Sequence, residues 1–294
     1  MTNRIRISLL LPTRARPLLV ERFFDSLIEH SNHLENIEVV LYVDDDDTNS
    51  HNLAREELNI SRIIGPTMSM GQYNTACLKV AKGDVIILVN DDIIIRTHGW
   101  DIKVLELDSR FSDKIYLAYP NDLIKKHGLC TFPILSRRTC ELLVEPYPEQ
   151  YQKAFIDVHL FDTFKRVEHA GHHRCIYMKD IIFEHMHYRT GKSDCDETYM
   201  RRGRFDDDAT FVALAKNRSI SVQQLVSEID GNTKGSFAST ALSVFEPPSL
   251  VSAIIHFSKE LLFDQELPIR WRCYLWYWFI GRYLAANVLR SSTR

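Results

Sequence analysis

From Ile5 to Val89 the chain alternates between two hydrophobic periods. Residues 5–11 form a largely apolar run with β-branched members, the pattern of a strand buried on both faces of a parallel sheet. Residues 17–30 then place Leu18, Leu19, Phe23, Leu27 and Ile28 at helical spacing, and residues 37–43 predict the next strand. Residues 62–64 predict a short strand, 71–81 a helix with Gly83 as its C-cap, and 85–89 a further strong strand. Strand, helix, strand, helix, strand predicts an open, doubly wound α/β sheet, in which ligands bind beyond the carboxyl ends of the strands.

After Trp100 the periodicity weakens. Residues 115–119 predict a strand, 137–143 a short helix, 154–170 an amphipathic helix and 181–183 a strand. Residues 189–208 are polar and loop-like, and a helix is expected over 209–215. The Gly/Ser/Thr-rich residues 230–240 predict a mobile loop or linker, and Pro247-Pro248 introduces a helical tail from 249 to about 290. No internal repeat or low-complexity segment is present in the sequence.

Charge narrows the choice of partner. With 36 Lys+Arg against 39 Asp+Glu, the chain has a net charge of -3, which argues against nucleic acid as the main partner. Its 294 residues allow one large domain or two small ones, and 45% hydrophobic with 26% charged residues excludes general disorder. The run from Ile7 to Leu11 is too short for a signal-peptide core, and no stretch is long enough for a membrane-spanning helix. The six cysteines are scattered without a C-x-x-C pair, so a cytoplasmic protein with reduced thiols is expected. The sequons at Asn59 and Asn217 are idle in that compartment.

Polar chemistry collects just past the strands: Thr13, Arg14 and Arg16 after the first, Asp44 to Asp47 after the second, Asn90, Asp91 and Asp92 after the third. Adjacent carboxylates repel, and hard oxygen ligands of this kind suit Mg2+ or Mn2+ shared with substrate phosphates. A solvated turn or helix cap is the plain alternative for Asp91 and Asp92. His185 and His187, in Glu184-His185-Met186-His187, would share a strand face and could ligate a transition metal or serve as ordinary polar residues. Asp157, in an expected helix that also holds Asp162, is either a cap favoured by the helix dipole or a general base. Thr190-Gly191-Lys192-Ser193 lacks the first glycine of a P-loop, and neither G-x-G-x-x-G nor G-x-S-x-G is present.

Taken in order, these segments resemble the GT-A glycosyltransferases, especially the large family 2 group. The resemblance runs over residues 5–190. It comprises Ile7-Ser8-Leu9-Leu10-Leu11-Pro12-Thr13-Arg14, Val43-Asp44-Asp45, Met70-Gly71-Gln72-Tyr73-Asn74 with Ala81-Lys82-Gly83-Asp84, and Val89-Asn90-Asp91-Asp92 at the place of the D-x-D motif. It departs from the family at Asn90, at Ile156 where a Glu usually precedes the catalytic Asp, and at the four-aspartate run. The resemblance implies a GT-A type sheet with a nucleotide-sugar half (1–99), an acceptor half (100–229), a linker (230–248) and a helical C-terminal tail (249–294). It implies Asp92 and His185 on Mn2+ or Mg2+, and Asp157 as catalytic base. It further implies that Pro12, Thr13, Arg14, Asp44, Asp45, Asp46, Gly71, Asn74, Asn90 and Asp91 surround a nucleotide-sugar donor. The activity implied is transfer, with inversion, to a saccharide or lipid-linked acceptor in surface polysaccharide synthesis. A sugar-phosphate nucleotidyltransferase would need a Gly-rich loop that Pro12 to Pro17 lacks, and a non-catalytic nucleotide- or carbohydrate-binding module is the other alternative.

The tail carries Trp271, Tyr274, Trp276, Tyr277, Trp278, Phe279 and Tyr283, with no charge between Arg272 and Arg282. A helix apolar on every face is expected to be covered. A partner subunit or, as a peripheral anchor, the inner face of a membrane are the two expected covers, with plain core as the alternative.

Overall fold

The computed structural model describes residues 4–192, 205–232 and 242–292. β1 (Ile7–Thr13), β2 (Ile37–Asp44), β3 (Asn59–Gly65) and β4 (Val85–Leu88) run parallel in the order β3-β2-β1-β4. All four were expected. β3 is longer than the expected 62–64 because it is the half-exposed edge, where polar residues interrupt the apolar signal. The sheet continues beyond β4 through β7 (Ile134–Ser136), β6 (Leu117–Asn121), β8 (Cys175–His185) and β5 (Ile93–Ile95), making eight strands. β7 is antiparallel to β4 and β6, β8 is parallel to β6, and β5 is antiparallel to β8.

Strand alternation sends successive side chains to opposite faces and so builds two cores. Leu9, Leu11, Val39, Leu41 and Val43 pack beneath α1 (Pro17–His30) and α3 (Trp100–Arg110), which contribute Phe23, Leu27, Trp100 and Val104. On the other face, Leu10, Val40 and Tyr42 belong to a cluster with Cys77 of α2 (Met70–Val80), Cys140 of α4 (Arg137–Leu142) and Phe161 and Phe164 of α5 (Ile156–His169). Helices on both faces make the doubly wound α/β fold expected from the sequence.

Gly83 does not cap α2. The helix ends at Val80 with Ala81 as its cap, and Gly83 lies where an added Cβ would sit 2.6 Å from the Ser8 backbone nitrogen, so its missing side chain lets the turn approach β1. After α6 (Asp208–Ala213) the chain continues in a helix that periodicity did not reveal, α7 (Ala215–Ile229), whose interior-facing Arg218 breaks the apolar stripe. The tail forms α8 (Leu250–Phe257), a π-helical turn (Ser258–Leu262) and α9 (Ile269–Ser292). Most of the expected 230–240 loop, together with Ser193 and Cys195, lies outside the described residues.

One face of α9 is core. Leu275 and Phe279 are fully buried in the cluster that holds α5, with Ala253 and Phe257 of α8. The opposite side is open, with Tyr277 75% exposed. No helix among the described residues is long and apolar enough to cross a membrane.

Asp162 of α5 joins three helices. Its carboxylate accepts from Arg166 Nε at 3.0 Å, from Arg218 Nε at 2.6 Å and from the Trp271 indole N–H at 2.8 Å. Arg166 also reaches Asp264 at 2.5 Å and Glu266 at 2.9 Å in the turn before α9. Burial pushes the Asp162 carboxyl up, but Arg166 and Arg218 prevail and hold it at about 2. Removing one member of a buried ion cluster strands the others, so Asp162→Asn is expected to cost about 3 to 5 kcal/mol in chemical denaturation. The folded carboxyl titrates below its ordinary 3.8, so the stabilisation is complete above that value and fades as the pH falls through about 2. Parent and variant stability curves should therefore converge in acid; curves that stay parallel down to pH about 2 would refute the account.

Candidate functional site

The carboxyl ends of β1 and β4 open onto a cleft of about 320 Å³ lined by Pro12, Thr13, Arg14, Arg16, Thr67, Tyr73, Asn90, Asp91, Asp92 and Lys153, among others. Asp91 is buried. It accepts from Thr13 Oγ1 at 2.8 Å and from Arg16 Nη1 at 3.0 Å. Burial pushes its carboxyl up, Arg16 opposes the rise and Asp92 adds to it, leaving it at about 6. Both Asp91 oxygens are thus engaged by the loop after β1, which joins that loop to the end of β4.

Asp92 is brought to His185 by strand pairing. β5 starts one residue after Asp92 and pairs antiparallel with β8, with Ile93 opposite His185. Met186 N donates to the Asp92 carbonyl at 2.7 Å, and His185 Nε2 lies 3.3 Å from Asp92 Oδ2. The His185 ring packs edge-on against Phe132, 5.3 Å between centroids. Asp122 fixes the loop beneath: it is buried, and its carboxylate accepts from the backbone N–H groups of Ile124, Lys125 and Lys126 and from Thr131.

A carboxylate and an imidazole about 3 Å apart have the spacing of neighbouring ligands on a divalent ion, and both donor types suit Mn2+. Among the described residues no group of three or more His, Cys, Asp and Glu side chains could hold a metal. The pair therefore fits an ion that completes its shell with substrate or water oxygens.

The second-strand aspartates divide by role. Asp44 is fully buried and accepts from Arg14, from Thr67 at 3.0 Å and from the Tyr73 hydroxyl at 2.5 Å. Arg14 also forks onto Asp46 at 2.6 and 2.7 Å, and Asp47 accepts from the Ala15 N–H at 2.7 Å. These bonds from Asp46 and Asp44 push the Arg14 guanidinium further up. Burial, with Asp44 beside it, does the same to the Tyr73 hydroxyl. Asp44 and Asp46 thus hold Arg14 at the cleft, while Asp45 is exposed and does not line it.

Gly71 and Asn74 do not line the cleft either. Asn74 is buried and donates to the Met70 carbonyl at 2.9 Å. A Cβ on Gly71 would meet the Pro148 carbonyl oxygen at 1.9 Å, so glycine is what lets the 148–152 segment dock on the start of α2. There the Met70 and Gly71 N–H groups donate to the Gln152 and Tyr151 carbonyls. From the other side the Asp207 carboxylate accepts from the N–H groups of Gln152, Lys153 and Ala154 at 2.7, 2.9 and 2.8 Å. Lys153 also lines a second, larger cleft of about 1040 Å³.

Asp157 lies in that second cleft, in the first turn of α5. It accepts from Val158 N at 2.8 Å, and the preceding Phe155 enters the helix at φ 73°. His187 lines the same cleft. Asp162 does not; two arginines and an indole N–H occupy its carboxylate, so it is not placed to act as a base. Sequence reasoning missed Tyr73, Thr67, Lys153, Asp122 and Asp207 as shapers of the site. Only Tyr73, inside the quoted α2 segment, carried a signal.

No protein-family model matches the sequence, and no curated protein matches it. Solved structures do. The mannosyltransferase PcManGT from Pyrobaculum calidifontis, in complex with GDP-Man and Mn2+, aligns over 99% of this chain and 80% of its own, with TM-score 0.51 and 12% identity. The 1-349 segment of S. aureus TarS, in complex with UDP-GlcNAc, aligns over 95% of this chain and 89% of its own, with TM-score 0.55 and 12% identity. Against a longer TarS structure the TM-score is 0.53 at 14% identity, and this chain spans 54% of that one. Likeness at such identity establishes architecture, and the architecture of this chain is the GT-A-like glycosyltransferase fold.

Proposed function

We propose that the protein is a metal-assisted glycosyltransferase that moves a sugar from a nucleotide-sugar donor to an acceptor hydroxyl. The observation that carries this reading is the junction of two clefts at Lys153, with Asp91 and Asp92 on the smaller side, His185 beside Asp92, and Asp157 on the larger. The GT-A-like fold and the GDP-Man, UDP-GlcNAc and Mn2+ bound by its structural neighbours support it.

In this reading Asp92 and His185 hold Mn2+ or Mg2+, and the ion's contribution is to neutralise the departing diphosphate. Arg14, buttressed by Asp44 and Asp46, presents a fixed positive charge to the donor. Thr13 and Arg16 keep Asp91 aligned beside it. Across the junction Asp157 accepts the proton of the acceptor hydroxyl as its oxygen bonds to the anomeric carbon and the bond from that carbon to the diphosphate breaks. Base and leaving group on opposite sides of the sugar describe a displacement with inversion.

Calorimetric titration with UDP, GDP, dTDP and CMP, with and without Mn2+, tests the donor side. At least one nucleotide is expected to bind in a Mn2+-dependent manner. Asp92→Ala should abolish that dependence, His185→Ala should weaken it, and His187→Ala should leave it nearly intact. Asp92→Ala binding nucleotide and metal like the parent would remove the metal assignment. Asp157→Asn should retain nucleotide affinity while kcat for transfer falls by about 10²- to 10⁴-fold, the range expected for losing a general base. A variant with near-parent kcat would return Asp157 to a helix-capping role.

A further inference from the structure

The larger cleft has a lopsided charge. Among the described residues Lys125, Lys153, Lys165, Arg270 and Arg282 line it against one carboxylate, Asp157. Lys153, Lys165 and Arg282 do pair with acids, at Asp206, Glu168 and Asp208, but none of these acids lines the cleft. Lys125 and Arg270 have no acidic partner among the described residues. Fixed cations gathered in one concave site lower the energy of an anionic ligand there.

The cleft also has an aromatic floor. Trp271, Tyr274 and Trp278 sit at i, i+3 and i+7 on α9 and so share a face. Their rings are nearly parallel: Trp271 and Tyr274 have centroids 5.0 Å apart at 18°, and Tyr274 and Trp278 6.1 Å apart at 17°. Phe155 extends the row, stacked on Trp278 at 5.4 Å. Spread over seven helical residues, the floor is about 10 Å long. The rings are offset-stacked, and where the offset leaves a face uncovered, as at exposed Tyr274, it suits the slightly positive C–H faces of a sugar. At about 1040 Å³ the cleft reaches the upper end of ordinary ligand sites, roomy enough for an oligomer.

We infer that the acceptor is an anionic glycan, an oligosaccharide bearing phosphate or carboxylate groups. Its rings lie along Trp271, Tyr274 and Trp278, and its charges meet Arg270 and Lys125. This rests on the glycosyltransferase reading and names the acceptor class for the same site.

Titration of the full chain with a phosphorylated maltotetraose, an oligogalacturonate and neutral maltotetraose, read by tryptophan fluorescence and calorimetry, tests the inference. One or both anionic oligomers should bind about tenfold or more tighter than maltotetraose, the margin of a charge-assisted contact. Their affinity should fall as salt rises. A preference for the phosphorylated oligomer identifies phosphate as the charge recognised, and a preference for the uronate identifies carboxylate; either supports the inference. Arg270→Gln and Lys125→Gln should each lose about tenfold for the anionic oligomer with no loss for the neutral one. Arg270 and Lys125 are both exposed, and neither forms an ion pair among the described residues, so neither change threatens folding.

Trp278→Ala should weaken every oligomer, charged or not. Equal binding of neutral and anionic oligomers, or glutamine variants that bind like the parent, would overturn the inference. Mn2+-dependent nucleotide binding, measured alongside, separates the two failures. Nucleotide binding without anionic selectivity refutes only the acceptor class, whereas anionic selectivity without nucleotide binding refutes the transferase.

Discussion

Asp162 has no access to solvent, and an ionised carboxylate there would be costly without the two guanidinium groups and the indole N–H that meet it. Each donor comes from a different place in the chain: Arg166 from α5 itself, Arg218 from α7 and Trp271 from the start of α9. Hydrogen bonds to one small acceptor leave these helices little freedom to slide. The orientation of α9 therefore follows from electrostatics at a point, while Leu275 and Phe279 supply the apolar contact along its length. Trp271 serves twice, donating to Asp162 through its indole nitrogen and offering its ring to the second cleft. The aromatic floor is held in place by the same carboxylate that secures the helices.

The parallel half of the sheet was legible because its strands are apolar on both faces, so β1, β2 and β4 read as runs. The other half was legible only in part: 115–119 anticipated β6, and 181–183 anticipated the end of β8. β5 and β7 have three residues each, too few to show a period, and the first half of β8 is only partly buried. The site divided in the same way. Thr13, Arg14, Asn90, Asp91 and Asp92 were found because they follow readable strands, and the pairing of β5 with β8 then brought His185 to Asp92 from 93 residues away. Asp122 and Asp207 act by accepting backbone N–H groups, a role visible only once loops have shape. Gly71 and Asn74 were expected at the donor site, yet neither lines the cleft: Gly71 serves the docking of the 148–152 segment on α2, and Asn74 bonds within its own helix.

The tail shows why a hydrophobic pattern can have more than one cause. Between Arg272 and Arg282 no face of α9 is charged, and two surroundings ask for apolar or aromatic side chains there. Leu275 and Phe279 face the core, while Trp271, Tyr274 and Trp278 face the cleft. Tyr277 on the open side remains available for association, which packing neither requires nor prevents.

The strip from Gln152 to Ala154 stands between the two clefts, its three N–H groups gathered by Asp207 and its Gln152 carbonyl tied to α2. At Lys153 a single residue borders both clefts. A partition that thin is common property: any displacement that suits an occupant on one side alters the shape offered to the other. Thermodynamic reciprocity then requires that each occupant change the other's affinity by the same factor. Order of binding, in such an arrangement, belongs to the wall as much as to either ligand.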